Sequence, residues 1–296
     1  MENIENMNCV KDAAKYNKLV YDVGMHKGED TDYYLRKGFR VIGFEANPDL
    51  SAYCRTRFKD DIEQGKLIIV EGAIAEVSPG VARATTIKFY RNKDNSIWGT
   101  AVGSWADRNE LFGTSSELIE VPVIDFTECL AEYGIPHYLK IDIEGMDRVC
   151  LRALMHFEQK PDYVSIESEK VSFENLVEEL NLFRRLGYTA FKAIQQKTIS
   201  RQIEPKHSME NEYVGYTFTE GSSGLFGSDL PYKWKNYSQI LDEYKWIFLQ
   251  YKIFGDYGIM RKHLFGKVFR EVLRMLLRMP LPGWYDTHAR HSSVVS

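Results

Sequence analysis

Short apolar runs alternate with amphipathic stretches from about residue 19 to residue 195, and this alternation limits the fold more than any other feature of the chain. The runs LVYDV (Leu19–Val23), RVIGF (Arg40–Phe44), LIIV (Leu67–Val70), YLKIDI (Tyr138–Ile143), YVSI (Tyr163–Ile166) and Tyr188–Ala193 read as strands. Glu29–Lys37, Pro48–Phe58, Met146–Phe157 and Ser172–Leu186 read as helices between them, with Gly38 and Gly187 placed to end two of them and Asp125 placed to cap another. Short apolar strands that each feed a helix predict an α/β, doubly wound, mostly parallel sheet with helices on both faces. Thr85–Tyr90 and Leu118–Ile124 are also strand-like and flank a turn-rich segment, Arg91–Ser116.

Composition sets outer bounds. A chain of 296 residues, 44% apolar and 27% charged, is an ordinary globular protein of one large or two small domains. Its net charge of −4 argues against a protein that tracks a nucleic-acid backbone. The charge is uneven: residues 231–296 carry 11 Lys/Arg and 5 Asp/Glu, and the first 230 carry 27 and 37. We therefore expect a main domain over residues 1–230 and a basic, helical C-terminal extension over 231–296. Within that extension Ile259–Met279 reads as a basic amphipathic helix, suited either to peripheral contact with an anionic membrane or, the preferred reading, to packing on the acidic main domain. The N-terminal stretch MENIENMNCVKDAAKYNK has no apolar core of a secretory signal, and no run reaches the length of a membrane span. Cys9, Cys54, Cys129 and Cys150 are dispersed without metal-binding spacing, which suggests reduced thiols and a cytoplasmic protein.

Three turns carry candidate chemistry. Asp22-Val-Gly24-Met-His26-Lys-Gly28-Glu29-Asp30 joins the first strand to the first helix, where the glycines let backbone approach a ligand. Glu45, followed by Ala46 after the second strand, suits the two hydroxyls of a ribose. The spacing is not that of a pyrophosphate-binding turn, and Glu29 and Asp30 at the helix start would repel a phosphate. They favour a cationic, phosphate-free nucleoside, which is the chemistry of S-adenosylmethionine. The turn Glu71-Gly72-Ala73-Ile74 offers small residues against which an adenine can lie. In Tyr138-Leu-Lys140-Ile-Asp142-Ile-Glu144-Gly145 the pleat places Lys140, Asp142 and Glu144 on one side, facing the ligand crevice; the competing reading for Lys140 is a buried ion pair.

The runs DVGMHKGEDTDYYLRKGF, VIGFEANPDL and YLKIDIEGMD together resemble the FkbM family of S-adenosylmethionine-dependent methyltransferases over roughly Leu19 to Ala193. The resemblance implies a Rossmann-like sheet of the class I methyltransferase type and O-methylation of a sugar, glycan or small-molecule acceptor. It further implies that Asp22, Gly24 and Gly28 line the methionine moiety, that Glu45 holds the ribose, that Gly72 and Ala73 border the adenine, and that Asp142 lies near the sulfonium. Where the family often has Ala-Asn this chain has Met25-His26, so His26 is expected to make a local cofactor contact of its own.

An alcohol must lose its proton as it is methylated, and Asp142 and Glu144 are the candidate bases. With Glu167 they would form an oxygen-ligand set for Mg²⁺, a reading less favoured than a metal-free site. His26 is a further candidate base, a reading less favoured than a loop histidine that touches backbone or solvent. The aromatic, glycine-rich segments Ser96–Asn109 (with Trp98, Ser104, Trp105 and Arg108) and Tyr213–Leu230 are candidate lids over the acceptor. The alternatives are a nicotinamide-dependent oxidoreductase or epimerase, and a non-catalytic nucleoside-binding protein. The acceptor's identity and the oligomeric state are not legible in the sequence.

Overall fold

The computed structural model describes residues 12–76, 84–96, 99–111, 113–143, 145–219, 221–254 and 283–294. The elements in chain order are β1 (Lys15–Val23), α1 (Glu29–Arg36), β2 (Arg40–Glu45), α2 (Pro48–Arg57), α3 (Lys59–Glu63), β3 (Leu67–Glu71), β4 (Ala73–Ile74), β5 (Thr86–Asn92), α4 (Gly103–Leu111), β6 (Ser116–Ile124), α5 (Phe126–Tyr133), β7 (Ile135–Ile141), α6 (Asp147–Leu154), β8 (Tyr163–Glu167), α7 (Phe173–Arg185), β9 (Tyr188–Gln195), α8 (Tyr237–Phe254) and β10 (Tyr285–His291).

Seven strands form the main sheet in the order β3-β2-β1-β7-β8-β10-β9. All neighbours are parallel except β10, which runs antiparallel to both β8 and β9. A smaller sheet, β4-β6-β5, hangs off the β3 side. The alternation along β1 explains the two-sided burial: Leu19, Tyr21 and Val23 enter one apolar cluster with Phe126, Leu139 and Leu180, and Val20 enters another with Tyr33, Tyr138 and Phe226.

Local signals account for the helix ends. Gly38 adopts φ +83 behind α1, where its N–H bonds to Leu35 O. Asn47 caps α2 through Oδ1, with Pro48 at its first position, and Asp125 caps α5 by accepting from the N–H groups of Thr127 and Glu128.

The tail differs from expectation. It does supply a helix, α8, but β10 belongs to the main sheet, so a boundary at residue 230 does not divide the sheet from the C-terminal extension. The segment WYDTHARH offered little apolar signal because its inward positions are polar. Asp286, Thr287 and His288 are all buried, with His288 between Ser165 of β8 and Lys192 of β9. Burial, with Lys192 nearby, pushes the His288 imidazole down to about 3, so it is neutral. The expected helix Ile259–Met279 lies outside the described residues.

At the amino end of β7, His137 bridges two acids: Nδ1 meets Asp162 Oδ2 and Nε2 meets Glu210 Oε2, each at 2.7 Å. His137 does not line the ligand crevice at the carboxyl ends of the strands. Burial opposes the imidazolium, but hydrogen bonds to the two carboxylates outweigh it and raise His137 to about 9. A raised folded-state value means that the contribution is complete below the unfolded value of ~6.5 and is lost as pH rises through about 9. Thermal unfolding should therefore show a wild-type stability loss on the order of 3 kcal/mol between pH 7 and pH 10 that is absent in His137→Asn. Parallel pH curves for the two proteins would remove His137 as the cause.

Candidate active site

The strand order reverses at β1, which pairs with β2 on one side and β7 on the other. Side chains of both halves diverge at the carboxyl ends there and leave a crevice. A cleft of about 880 Å³, a volume that includes the open solvent at its mouth, occupies this position.

The floor is the loop after β1. Gly24 has φ +82, and the N–H groups of Gly24 and Met25 both reach Phe44 O at 3.0 Å, pinning the loop to the end of β2. A Cβ on Gly24 would lie 2.0 Å from Asp142 O, so only glycine allows the β1 and β7 ends to approach this closely. Met25 is buried against Gly43. His26 takes φ +51, its N–H donates to Glu45 Oε2 at 2.9 Å, and its carbonyl accepts from Cys54 Sγ. Glu45 Oε1 accepts from Asn47 N–H at 2.8 Å. Burial outweighs these two donors and lifts the Glu45 carboxyl to about 7.

Beneath the floor lies an ion cluster. Lys140 Nζ donates to Asp22 Oδ1 at 2.9 Å and to Gly24 O at 3.0 Å, and stands 3.6 Å from Asp30 Oδ2. Asp22 Oδ2 accepts from Thr31 Oγ1 at 2.7 Å. Burial works against the ammonium, but Asp22 and Asp30 outweigh it and hold Lys140 well above its ordinary range. Asp30 is raised to about 6 by burial and by Asp22, against the pull of Lys140. Asp30 also accepts from Ser223 N–H at 2.8 Å, which ties helix α1 to the segment 202–230.

The walls divide by chemistry. Ala46, Leu50, Gly72, Ala73, Ile74 and Phe89 form an apolar end near β3 and β4, and Gly72, at φ +141, lies so near Pro122 O that a Cβ there would be 2.6 Å away. Glu29, Asp30, Glu45 and Asp142 make the rest acidic. Beyond β7, Asp147 closes the turn by accepting from Ile143 and Gly145 N–H groups, and the Trp105 indole sits against Gly145.

Of the residues singled out from sequence, Gly24, His26, Asp30, Glu45, Ala46, Gly72, Ala73 and Asp142 line this one cleft. Asp22 and Gly28 do not. Asp22 is fully buried under the loop, spent on Lys140 and Thr31, and Gly28, at φ +79, precedes α1 with its Cα against the Phe58 ring. Lys140 lines the cleft but directs its charge downward, so the ion-pair reading of Lys140 applies. The strand ends at Ile141, which leaves Asp142 exposed toward the opening. Glu144 and Trp98 lie outside the described residues, as do the side chains of Ser104 and Arg108. Glu167 pairs with Lys170 at 2.6 Å, and among the described residues no group of three His, Cys, Asp or Glu side chains is placed to hold a metal.

Two residues that sequence reasoning had not singled out within its candidate lid segments, Gly221 and Ser96, line the site. Gly221 reaches the cleft from the 213–230 segment, brought there by the Ser223–Asp30 bond. Ser96 lines the cleft and meets His26 Nε2 at 2.8 Å, while His26 Nδ1 faces Glu29 at 3.2 Å.

The family model for the methyltransferase FkbM domain matches residues 22–190, which is 169 of the 296 residues. A carboxy-S-adenosyl-L-methionine synthase from Wolinella succinogenes is 24% identical over 135 residues, a match covering 44% of this chain and 55% of that protein. The chain thus spans about half the length of that curated relative. Among solved structures, a methyltransferase FkbM from Methylobacillus flagellatus is 17% identical, with 62% of this chain and 41% of that one covered and a TM-score of 0.36. A precorrin-6y C5,15-methyltransferase from Geobacter metallireducens is 12% identical, with 64% and 74% covered and a TM-score of 0.32. Since the family model spans more than half of its residues, the chain belongs to the FkbM methyltransferase family.

Proposed function

We propose that this protein is an S-adenosylmethionine-dependent methyltransferase acting on a hydroxyl of a sugar, glycan or small-molecule acceptor. The carrying observation is a cleft with Glu45 at the end of β2, an apolar end beside it, and acids elsewhere whose nearest ammonium, Lys140, is turned away toward Asp22. These residues fit the donor: Ala46, Gly72, Ala73 and Ile74 accept a flat base, Glu45 accepts from ribose hydroxyls, and Glu29, Asp30 and Asp142 surround the space for cationic groups. A pyrophosphate in the same space would face those carboxylates, which disfavours the nicotinamide alternative.

The donor, when bound, supplies a methyl group activated on a positively charged sulfur. The tasks left to the chain are alignment, exclusion of water and removal of the acceptor's proton. Asp142, exposed at the end of β7, is proposed to face the sulfonium and stands as a candidate proton acceptor. Met146, Ile143 and the Trp105 indole beside Gly145 are proposed to border the acceptor.

Glu45→Gln tests the reading. The amide keeps the size but loses the charged acceptor, so S-adenosylhomocysteine affinity should fall by roughly 10–100-fold in calorimetry. The wild-type Glu45 carboxyl titrates at about 7, and hydroxyl donors favour its ionised form. Wild-type affinity should therefore increase from pH 6 to pH 8, and that increase should vanish in the variant. Equal affinity of the two proteins across this range would defeat the ribose assignment.

A further inference from the structure

The notable departure from the family pattern, His26, is also the centre of a polarised chain. Burial pushes the Glu29 carboxyl up, but the His26 ring, its own backbone hydrogen bond and Lys140 together outweigh burial and hold it below its usual range, so it is an ionised acceptor. It has no proton to offer, so the contact at 3.2 Å requires the hydrogen on His26 Nδ1. In the neutral tautomer with its hydrogen on Nδ1, Nε2 carries a lone pair and Ser96 Oγ–H donates to it across the 2.8 Å contact. Ser96 has spent its one donor and presents lone pairs to the cleft that it lines. Such an oxygen welcomes a hydrogen-bond donor and rejects a carbonyl or carboxylate.

We propose that Ser96, His26 and Glu29 form the proton exit for methyl transfer, and that the acceptor presents a neutral hydroxyl to Ser96 Oγ. This rests on the O-methylation reading above. The acceptor's proton moves to Ser96 Oγ as the Ser96 proton moves to His26 Nε2. The acceptor oxygen forms its bond to the methyl carbon, and the electron pair of the broken carbon–sulfur bond stays on sulfur, cancelling its charge. Glu29 stabilises the imidazolium until that proton passes to solvent. The segment carrying Ser96 follows β5, and the His26 backbone is clamped in its left-handed conformation by Glu45 and Cys54, so the ring is aimed by two independent contacts. The charged and titratable groups around it are Glu29, Glu45, Cys54 and, farther below, Lys140. Asp142 then serves the cation and not the proton.

The test has two arms on the full chain. Nitrogen NMR of histidine-labelled protein, with His26→Gln for assignment, should find the His26 proton on Nδ1 and a shift at Nε2 on Ser96→Ala. A proton on Nε2, or no response to Ser96→Ala, overturns the relay whatever acceptors are available. The second arm compares labelled methyl transfer to myo-inositol, whose hydroxyls need a base, with transfer to thiophenolate, which does not. His26→Gln and Ser96→Ala should each lower the inositol-to-thiophenolate rate ratio about 100-fold. They should also abolish the acid limb of the wild-type pH profile, which Asp142→Asn should retain. An unchanged ratio, or an acid limb that tracks Asp142 instead, overturns the assignment. Failure of the wild type to bind S-adenosylhomocysteine overturns the methyltransferase reading instead, and is distinguishable because the NMR arm needs no cofactor.

Discussion

Lys140→Met is expected to destabilise the protein by about 3–5 kcal/mol near neutral pH, because it removes the cation from a buried cluster and leaves two carboxylates behind. Lys140 is 4% exposed, Asp22 0% and Asp30 2%, so water cannot replace the lost ammonium. The methionine fills much of the same volume, which separates the electrostatic effect from a cavity effect. The loss should shrink at lower pH. Burial lifts Asp30 to about 6 even with Lys140 present, and without that ammonium its carboxyl accepts a proton more readily. Denaturant titrations at pH 7.5 and pH 5 should show the larger deficit at pH 7.5, and Asp22→Asn added to Lys140→Met should restore part of it. A variant as stable as the wild type at pH 7.5 would mean that the cluster does not organise this end of the sheet.

Gly24→Ala is the second large effect. The added methyl would sit 2.0 Å from Asp142 O and 3.3 Å from the Ile143 side chain, in a backbone conformation, φ +82, that alanine resists. Strain and overpacking each cost about 1–3 kcal/mol. Relief requires the β1 and β7 ends to part, and that breaks the bond from Asp142 N–H to Val23 O. We expect S-adenosylhomocysteine binding to be lost by 100-fold or more in calorimetry while far-ultraviolet dichroism retains the α/β signature. Gly65→Ala, at φ +70 but with nothing within 4 Å of its Cβ, serves as the control that carries the backbone strain without the close contact. Equal binding by wild type and Gly24→Ala would show that the two strand ends need not touch for the cleft to work.

The strands were legible where their apolar positions had a simple period. β1, β2, β7 and β8 lie between two helical layers and read as apolar runs, and the glycine turn, Glu45 and Gly72 fall at predictable carboxyl ends. The tail strand was not legible, because β10 buries three consecutive polar residues, Asp286, Thr287 and His288, between β8 and β9. Period alone has no way to mark a buried row made of polar residues. Lys140 illustrates a second limit. Its place on the strand was readable, but whether its charge points toward the crevice or toward Asp22 depends on what α1 brings beneath it. His26 illustrates a third: Ser96 is 70 residues away, so only the folded chain reveals what its ring faces. The segment containing Ser96 had nonetheless drawn attention through its glycines and aromatics.

The antiparallel strand β10 has a consequence for the order of events during synthesis. Residues 285–291 fill a slot between β8 and β9, whose own residues leave the ribosome about 90 to 120 positions earlier. Until then β8 and β9 each hold an open backbone edge, and nascent β9 lacks the strand that joins it to the rest of the sheet. The sheet is thus completed by a late, long-range closure, and the interval before it is when a holdase chaperone would find its binding surface.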